Sequence, residues 1–150
     1  MNRLEGVITK LLCATDGSPA SEKAVSFAAE ISKAMQLPLT FFSVYPPETG
    51  SHSSDLAYWG AVVVDAGHLK PESVLGRAAK HANNIGFYQV RCVKAFGKHV
   101  AQAIADYARV NQYDLIVVGT VGRTGASRLV LGSVAKDLIG YAHCGVSVIR

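Results

Sequence analysis

The chain has 150 residues, 49% of them hydrophobic and 17% charged, which is enough apolar material to bury one core and too little charge for a disordered polypeptide. Its formal net charge is +4, from 15 Lys and Arg against 11 Asp and Glu, but the basic residues are scattered singly and aromatics do not interleave with them, so no nucleic-acid partner is expected. No apolar run approaches the roughly 18 residues that a bilayer crossing needs, and the N-terminal MNRLEGVITK lacks the apolar stretch of a signal peptide, so the expectation is a soluble cytoplasmic protein with no membrane partner.

Lys10 to Asp16, KLLCATD, is an apolar run ending in a turn signal and reads as a buried strand. Ser18-Pro19 then starts a helix, with Ser as N-cap, Pro at the first helical position and Glu22 in the first turn, where the helix dipole favours an acid. Ala24, Phe27, Ala28, Ile31, Ala34 and Met35 recur at helical spacing and predict one face packed on a sheet. Leu37-Pro38 ends that helix, and Leu39 to Tyr45, LTFFSVY, reads as a second strand closed by Pro46-Pro47. The following ETGSHSSD is polar and turn-rich, hence a loop.

The stretch AYWGAVVVDAGHLK is β-rich by propensity, and its structure stays undecided at this point. Tyr58 and Trp59 within it suit either base stacking or packing. A helix is expected through Val74, Ala78, Ala79 and Ala82, with Pro71 as its start. Gln89 to Phe96 alternates Val90, Cys92 and Phe96 against Arg91 and Lys94, which predicts a half-exposed edge strand. After Gly97 a third amphipathic helix carries Val100, Ala103, Ile104, Tyr107 and Ala108 and ends near Asn111. Asp114 to Gly119 is the fourth strand; Leu131, Val134, Ala135, Leu138 and Ile139 mark a fourth helix; Val146 to Ile149 is the fifth strand.

The three cysteines show neither a C-x-x-C nor a Cys/His metal spacing, and no metal ligand set can be read. Cys13 and Cys92 fall within strands, where a small buried hydrophobe is expected. Cys144, beside His143, is read as structural, with a redox role as the alternative. The five histidines are dispersed, and no Ser/His/Asp arrangement, nucleophile elbow or paired-carboxylate motif is present. No catalytic residue is assigned.

Strands alternating with helices imply a single α/β domain, a doubly wound parallel sheet of five strands with helices on both faces. In such a sheet the ligand crevice opens at the carboxyl ends of the strands where strand order reverses. Only the first and fourth strands end in glycine-bearing loops, DGS and GTVG, so these two are expected side by side.

The fourth strand runs into GTVGRTGASRLVLGS and then a helix. Glycines let backbone N–H groups approach a ligand closely, and a helix start presents unpaired N–H groups and a partial positive charge, which together suit a phosphate. Gly119, Gly122 and Gly132 followed by Ser133 give G-x2-G-x9-G-[ST], which is neither the Walker pattern nor the dinucleotide fingerprint. This spacing, KLLCATDGSPAS near the start and the closing GVSVIR resemble the universal stress protein family, in order and position, over nearly the whole chain and least closely between His52 and Gly86.

The resemblance implies the strand order 3-2-1-4-5 and an ATP site, with Mg²⁺ as an optional companion of the triphosphate. By the same resemblance Gly119, Gly122, Gly132, Ser133 and Val134 meet the phosphates. Arg123 and Arg128, and less readily Lys10, are the cations that would add charge nearby, with solvated surface as their plain alternative. Asp16 matches the acid that accepts hydrogen bonds from ribose, with turn capping as its plain alternative. Val44 matches the position whose backbone recognises adenine, and Ala14 and Thr15 form part of the floor. Two positions depart from the family pattern: Val121 stands where a polar residue is common, and Gly145 where Pro usually precedes the last strand. The family also implies a homodimer through Val146–Ile149. The expected function is an ATP-binding stress-response protein in which nucleotide occupancy changes loops around residues 46–60 and 120–130 and association with a further protein. Its alternatives are a dimeric interaction module without nucleotide and a slow ATPase.

Overall fold

The structure, a computed structural model, describes residues 8–47, 59–121 and 131–150. Strands β1 (Leu11–Ala14), β2 (Leu39–Tyr45), β3 (Trp59–Val64), β4 (Val90–Gly97), β5 (Leu115–Gly119) and β6 (Gly145–Ile149) form one sheet in the order β3-β4-β2-β1-β5-β6. Helices α1 (Pro19–Met35), α2 (Val74–Asn84), α3 (Val100–Val110) and α4 (Ser133–Tyr141) cover it, and a 3-10 turn spans Ala66–His68. No helix among the described residues is long and apolar enough to cross a membrane.

The five expected strands stand in the expected order, all parallel, with Cys13 opposite both Phe41 and Val117. The undecided segment supplies a sixth. β3 pairs antiparallel with β4, Trp59 opposite Gly97 and Val64 opposite Cys92. This corrects the expectation for 89–96, because β4 lies between β2 and β3 and is not an edge. Its polar alternation has another cause: Arg91 is exposed, and the Lys94 ammonium sits 4.7 Å from the centroid of the Tyr45 ring, so both polar side chains are accommodated on an interior strand.

Burial on both faces explains the continuous apolar reading of the parallel strands. In β1, Leu12 and Ala14 face α3 and α4 together with Phe42, Ile116 and Val118, whereas Leu11 and Cys13 face α1 and α2 together with Phe41 and Val117. Cys13 and Cys92 are buried as expected. Burial pushes the Cys13 thiol up, takes Cys92 to about 11, and, with the charge of Asp114, raises half-buried Cys144. A raised pKa disfavours the reactive thiolate, which argues against a redox role for Cys144.

α1 begins as its sequence dictates, with Ser18 as cap accepting from the Ser21 N–H and Pro at the first position. Its inward face, however, is Ser21, Ala24, Val25, Ala28, Ala29 and Ser32, and the last-turn residues Ala34 and Met35 are exposed. α2 starts three residues after Pro71, because the Ser73 side chain caps it by accepting from the Gly76 N–H at 3.0 Å. In α4 only Ala135 and Leu138 are buried; Ile139, expected inside, is exposed, and Leu131, expected in the helix, precedes its Gly132 cap and is exposed too. Small residues on the inner faces let α1 and α2 lie close on the sheet.

Candidate site at the switch point and a second cleft behind it

β1 leads into α1 on one face of the sheet and β5 leads into α4 on the other, so the crevice between their carboxyl ends is the switch point. The turn after β1 is built by short side chains. Thr15, buried, donates its N–H to the Phe42 carbonyl at 2.9 Å and shares a 3.0 Å hydroxyl bond with Ser21. Asp16 Oδ1 accepts the Ser18 N–H at 2.9 Å, and Gly17 adopts φ +80, a left-handed conformation that favours glycine. The plain reading of Asp16 as a turn cap is therefore realised, which holds its half-exposed carboxylate at the crevice.

Ala14 is buried in the core just before this turn, and Val44 lies near the end of neighbouring β2, opposite Ala95, its half-buried side chain packed towards α3 and α4. Gly119 ends β5. An added Cβ there would lie 2.7 Å from the Ala20 carbonyl carbon and oxygen and 2.9 Å from the Ser21 nitrogen. The first turn of α1 thus requires a glycine at 119 irrespective of any ligand.

Gly122 and Arg123, with Arg128, lie outside the described residues. Gly132 is described and has two jobs. Its N–H donates to the Thr120 carbonyl at 2.6 Å, bringing the two ends of the loop together, and it is the N-cap of α4 without a side-chain cap bond. Thr120 in turn donates to the Ile149 carbonyl at 3.1 Å, tying the loop base to β6. Ser133 opens α4 with an exposed side chain, and Val134 packs its half-buried side chain into the core. The uncapped first turn of α4 leaves backbone donors for an anion. Among the described residues no group of three or more His, Cys, Asp and Glu side chains could hold a metal ion.

A second feature was not foreseen from the sequence. Behind the β1–α1 turn, between α1 and α2, lies a cleft of about 260 Å³ floored by Thr15, Val25 and Ala78. The Ser26 hydroxyl and His81 Nε2 are 3.0 Å apart across it. Arg77 Nη2 donates to the Gly17 carbonyl at 3.3 Å, and Arg77 Nε lies 3.6 Å from Glu22 Oε1. The available signal was the i,i+4 spacing of Glu22 with Ser26 and of Arg77 with His81, which sets polar stripes on two helices. Their meeting depends on contacts some 55 to 60 residues apart. No carboxylate accepts from His81 among the described residues, so the Ser26–His81 contact is not a triad.

The sequence model of the universal stress protein family matches residues 8–150. The chain belongs to the universal stress protein family. Among other universal stress proteins it is similar to one from Methanocaldococcus jannaschii, 32% identical in a match 148 residues long that covers 97% of this chain and 84% of the relative. Its fold resembles that of a universal stress protein solved in complex with cAMP, with a TM-score of 0.69 and 23% identity over 97% of this chain and 99% of the other. It also resembles the Archaeoglobus fulgidus universal stress protein solved in complex with dAMP, with a TM-score of 0.64 and 21% identity over 97% and 100% of the two chains. These likenesses carry the universal stress protein fold: a doubly wound, mainly parallel sheet with helices on both faces.

Proposed function

We propose that this universal stress protein binds an adenine nucleotide, ATP by its loop type, in the crevice between β1 and β5. The observation that carries the reading is the convergence at the carboxyl end of the sheet of the Asp16 turn, the glycine-closed base of the 119–133 loop and the uncapped start of α4. The cAMP and dAMP complexes of similar universal stress proteins support it. The groups at hand fit the ligand: N–H groups of Ser133 and Val134 and the Ser133 hydroxyl suit phosphate oxygens, and the Asp16 carboxylate suits ribose hydroxyls. Val44 lends backbone groups to the adenine edge, with Ala14 and Thr15 beneath. Gly122 and Arg123 complete the phosphate loop. Mg²⁺, if bound, would take its ligands mainly from the triphosphate, because Asp16 is the one carboxylate assigned to the crevice among the described residues.

Occupancy of the site acts through the loops on association with a partner protein, without dedicated catalysis. Titrating ATP calorimetrically into protein stripped of nucleotide is expected to give a micromolar one-to-one isotherm, and denaturing untreated protein is expected to release an adenine nucleotide. Neither binding nor release would sink the reading and favour a nucleotide-free interaction module. The chain also forms a homodimer through β6, which is an unpaired edge of the sheet carrying Val146, Val148 and Ile149. Light scattering at micromolar concentration is expected to give twice the chain mass; a monomer mass refutes it.

A further inference from the structure

We propose that Arg77 is a positioning residue for the nucleotide crevice: from α2 it holds the β1–α1 turn, and through the turn the orientation of Asp16. The inference rests on the nucleotide reading above and names a residue on which that site depends, although nothing in the loop motif points to it.

The turn is held from outside as well as by its own short side chains, through which Gly17 N–H reaches Thr15 Oγ1 and Ser18 N–H reaches Asp16 Oδ1. Gly17 sits at φ +80, and its carbonyl is aimed away from the crevice into the α1–α2 cleft, where Arg77 Nη2 donates to it at 3.3 Å. The guanidinium is oriented in its turn by Glu22, whose Oε1 lies 3.6 Å from Nε. One planar fork thus joins the first turn of α2, the first turn of α1 and the loop between β1 and α1. The turn and α2 are also in close contact, since a Cβ on Gly17 would come 2.5 Å from Arg77 Nη2 and 3.1 Å from Val74 Cγ2.

Asp16 feels this directly. Asp16 and Gly17 share a peptide unit, and the Asp16 carboxylate is fixed by accepting the N–H of Ser18, the residue after Gly17. If Gly17 rotates, the Ser18 N–H swings away from Oδ1 and the carboxylate loses one of the bonds that orient it. Lys at 77 could reach one acceptor, but a single ammonium does not reproduce the fork that spans both. The Arg77 and Glu22 side chains are 48% and 57% exposed, so their ion pair adds little to overall stability. The effect of Arg77 is therefore expected on the geometry of the turn and on ligand affinity, and scarcely on unfolding.

That separation gives the test. In Arg77→Ala the melting temperature should stay close to that of the wild type, while hydrogen exchange at the Ser18 amide in the nucleotide-free protein accelerates about tenfold, as expected for a lost charge-assisted hydrogen bond. ATP affinity should fall about fivefold, with Arg77→Lys intermediate. Methylguanidinium, which the cleft can admit, should restore Ser18 protection in Arg77→Ala and leave the wild type unchanged. Unaltered Ser18 exchange in Arg77→Ala overturns the proposal, as does ATP affinity equal to that of the wild type. If the wild type binds no ATP at all while Ser18 exchange still responds to Arg77, the nucleotide reading fails and the hold on the turn stands.

Discussion

Gly119→Ala is expected to destabilise the protein by about 2–3 kcal/mol, the cost of forcing a methyl group into a packed backbone. The new Cβ would meet the Ala20 carbonyl group at 2.7 Å and the Ser21 nitrogen at 2.9 Å, and neither is a flexible side chain that can swing aside. α1 cannot retreat cheaply, because Ser21, Ala24 and Val25 are buried on its inner face and Ser18 and Ser21 are bonded to each other and to the turn. At this chain length such a loss lowers the melting temperature by roughly 5–10 °C. Gly140→Ala provides the control, since it lies in α4 with nothing within 4 Å of its added Cβ. There the helix propensity gained should stabilise by about 0.5–1 kcal/mol. Urea unfolding of the two variants decides the matter. If Gly119→Ala is as stable as the wild type, the packing account is wrong, and the glycine has its reason in a ligand instead.

This bears on how much of the molecule was legible in its sequence. Local signals carried far: Ser18-Pro19 marked the start of α1, Pro38 and Pro46 bracketed β2, and two glycine-bearing strand ends set β1 beside β5, while the full order of the five parallel strands was what the family resemblance implied. Where the reading failed, the deciding contacts were distant in sequence. Arg91 and Lys94 suggested an edge strand because alternation records how well helices cover a strand, not whether both its neighbours are present, and the sixth strand that flanks β4 pairs with residues some 30 positions away. Leu131 and Ile139 fit a helical period yet stay exposed: Leu131 precedes the Gly132 cap, and α4 turns only Ala135, Leu138 and half-buried Val134 onto the core. At the site the motif marked Gly119 for its phosphate spacing, whereas the structure gives that residue a packing reason within α1. Arg77, Ser26 and His81 carried no motif at all, and only the docking of α2 against α1 brings them behind the turn.

Gly132→Val is expected to reduce ATP affinity at least tenfold, but its meaning depends on a second variant. The added Cβ would lie 2.8 Å from the Thr120 carbonyl oxygen and 3.1 Å from the Val121 Cα, so valine pushes apart the loop ends that Gly132 joins through its own N–H. Those neighbours are half-buried loop residues, less confined than the wall facing Gly119, and the stability cost should be smaller, about 1–2 kcal/mol. Lost binding could then reflect a displaced loop base as easily as bulk against a phosphate. Ser133→Ala separates the two. Its side chain is exposed and caps nothing, so removing the hydroxyl should leave the melting temperature within about 1 °C of the wild type. If that hydroxyl meets a phosphate oxygen, ATP affinity should fall roughly threefold to tenfold, the worth of one hydrogen bond. Calorimetry on both variants gives a definite answer. A loss in Gly132→Val alone assigns the loop to architecture beside the ligand, while a loss in both, with stability unchanged in Ser133→Ala, puts the phosphates against the first turn of α4.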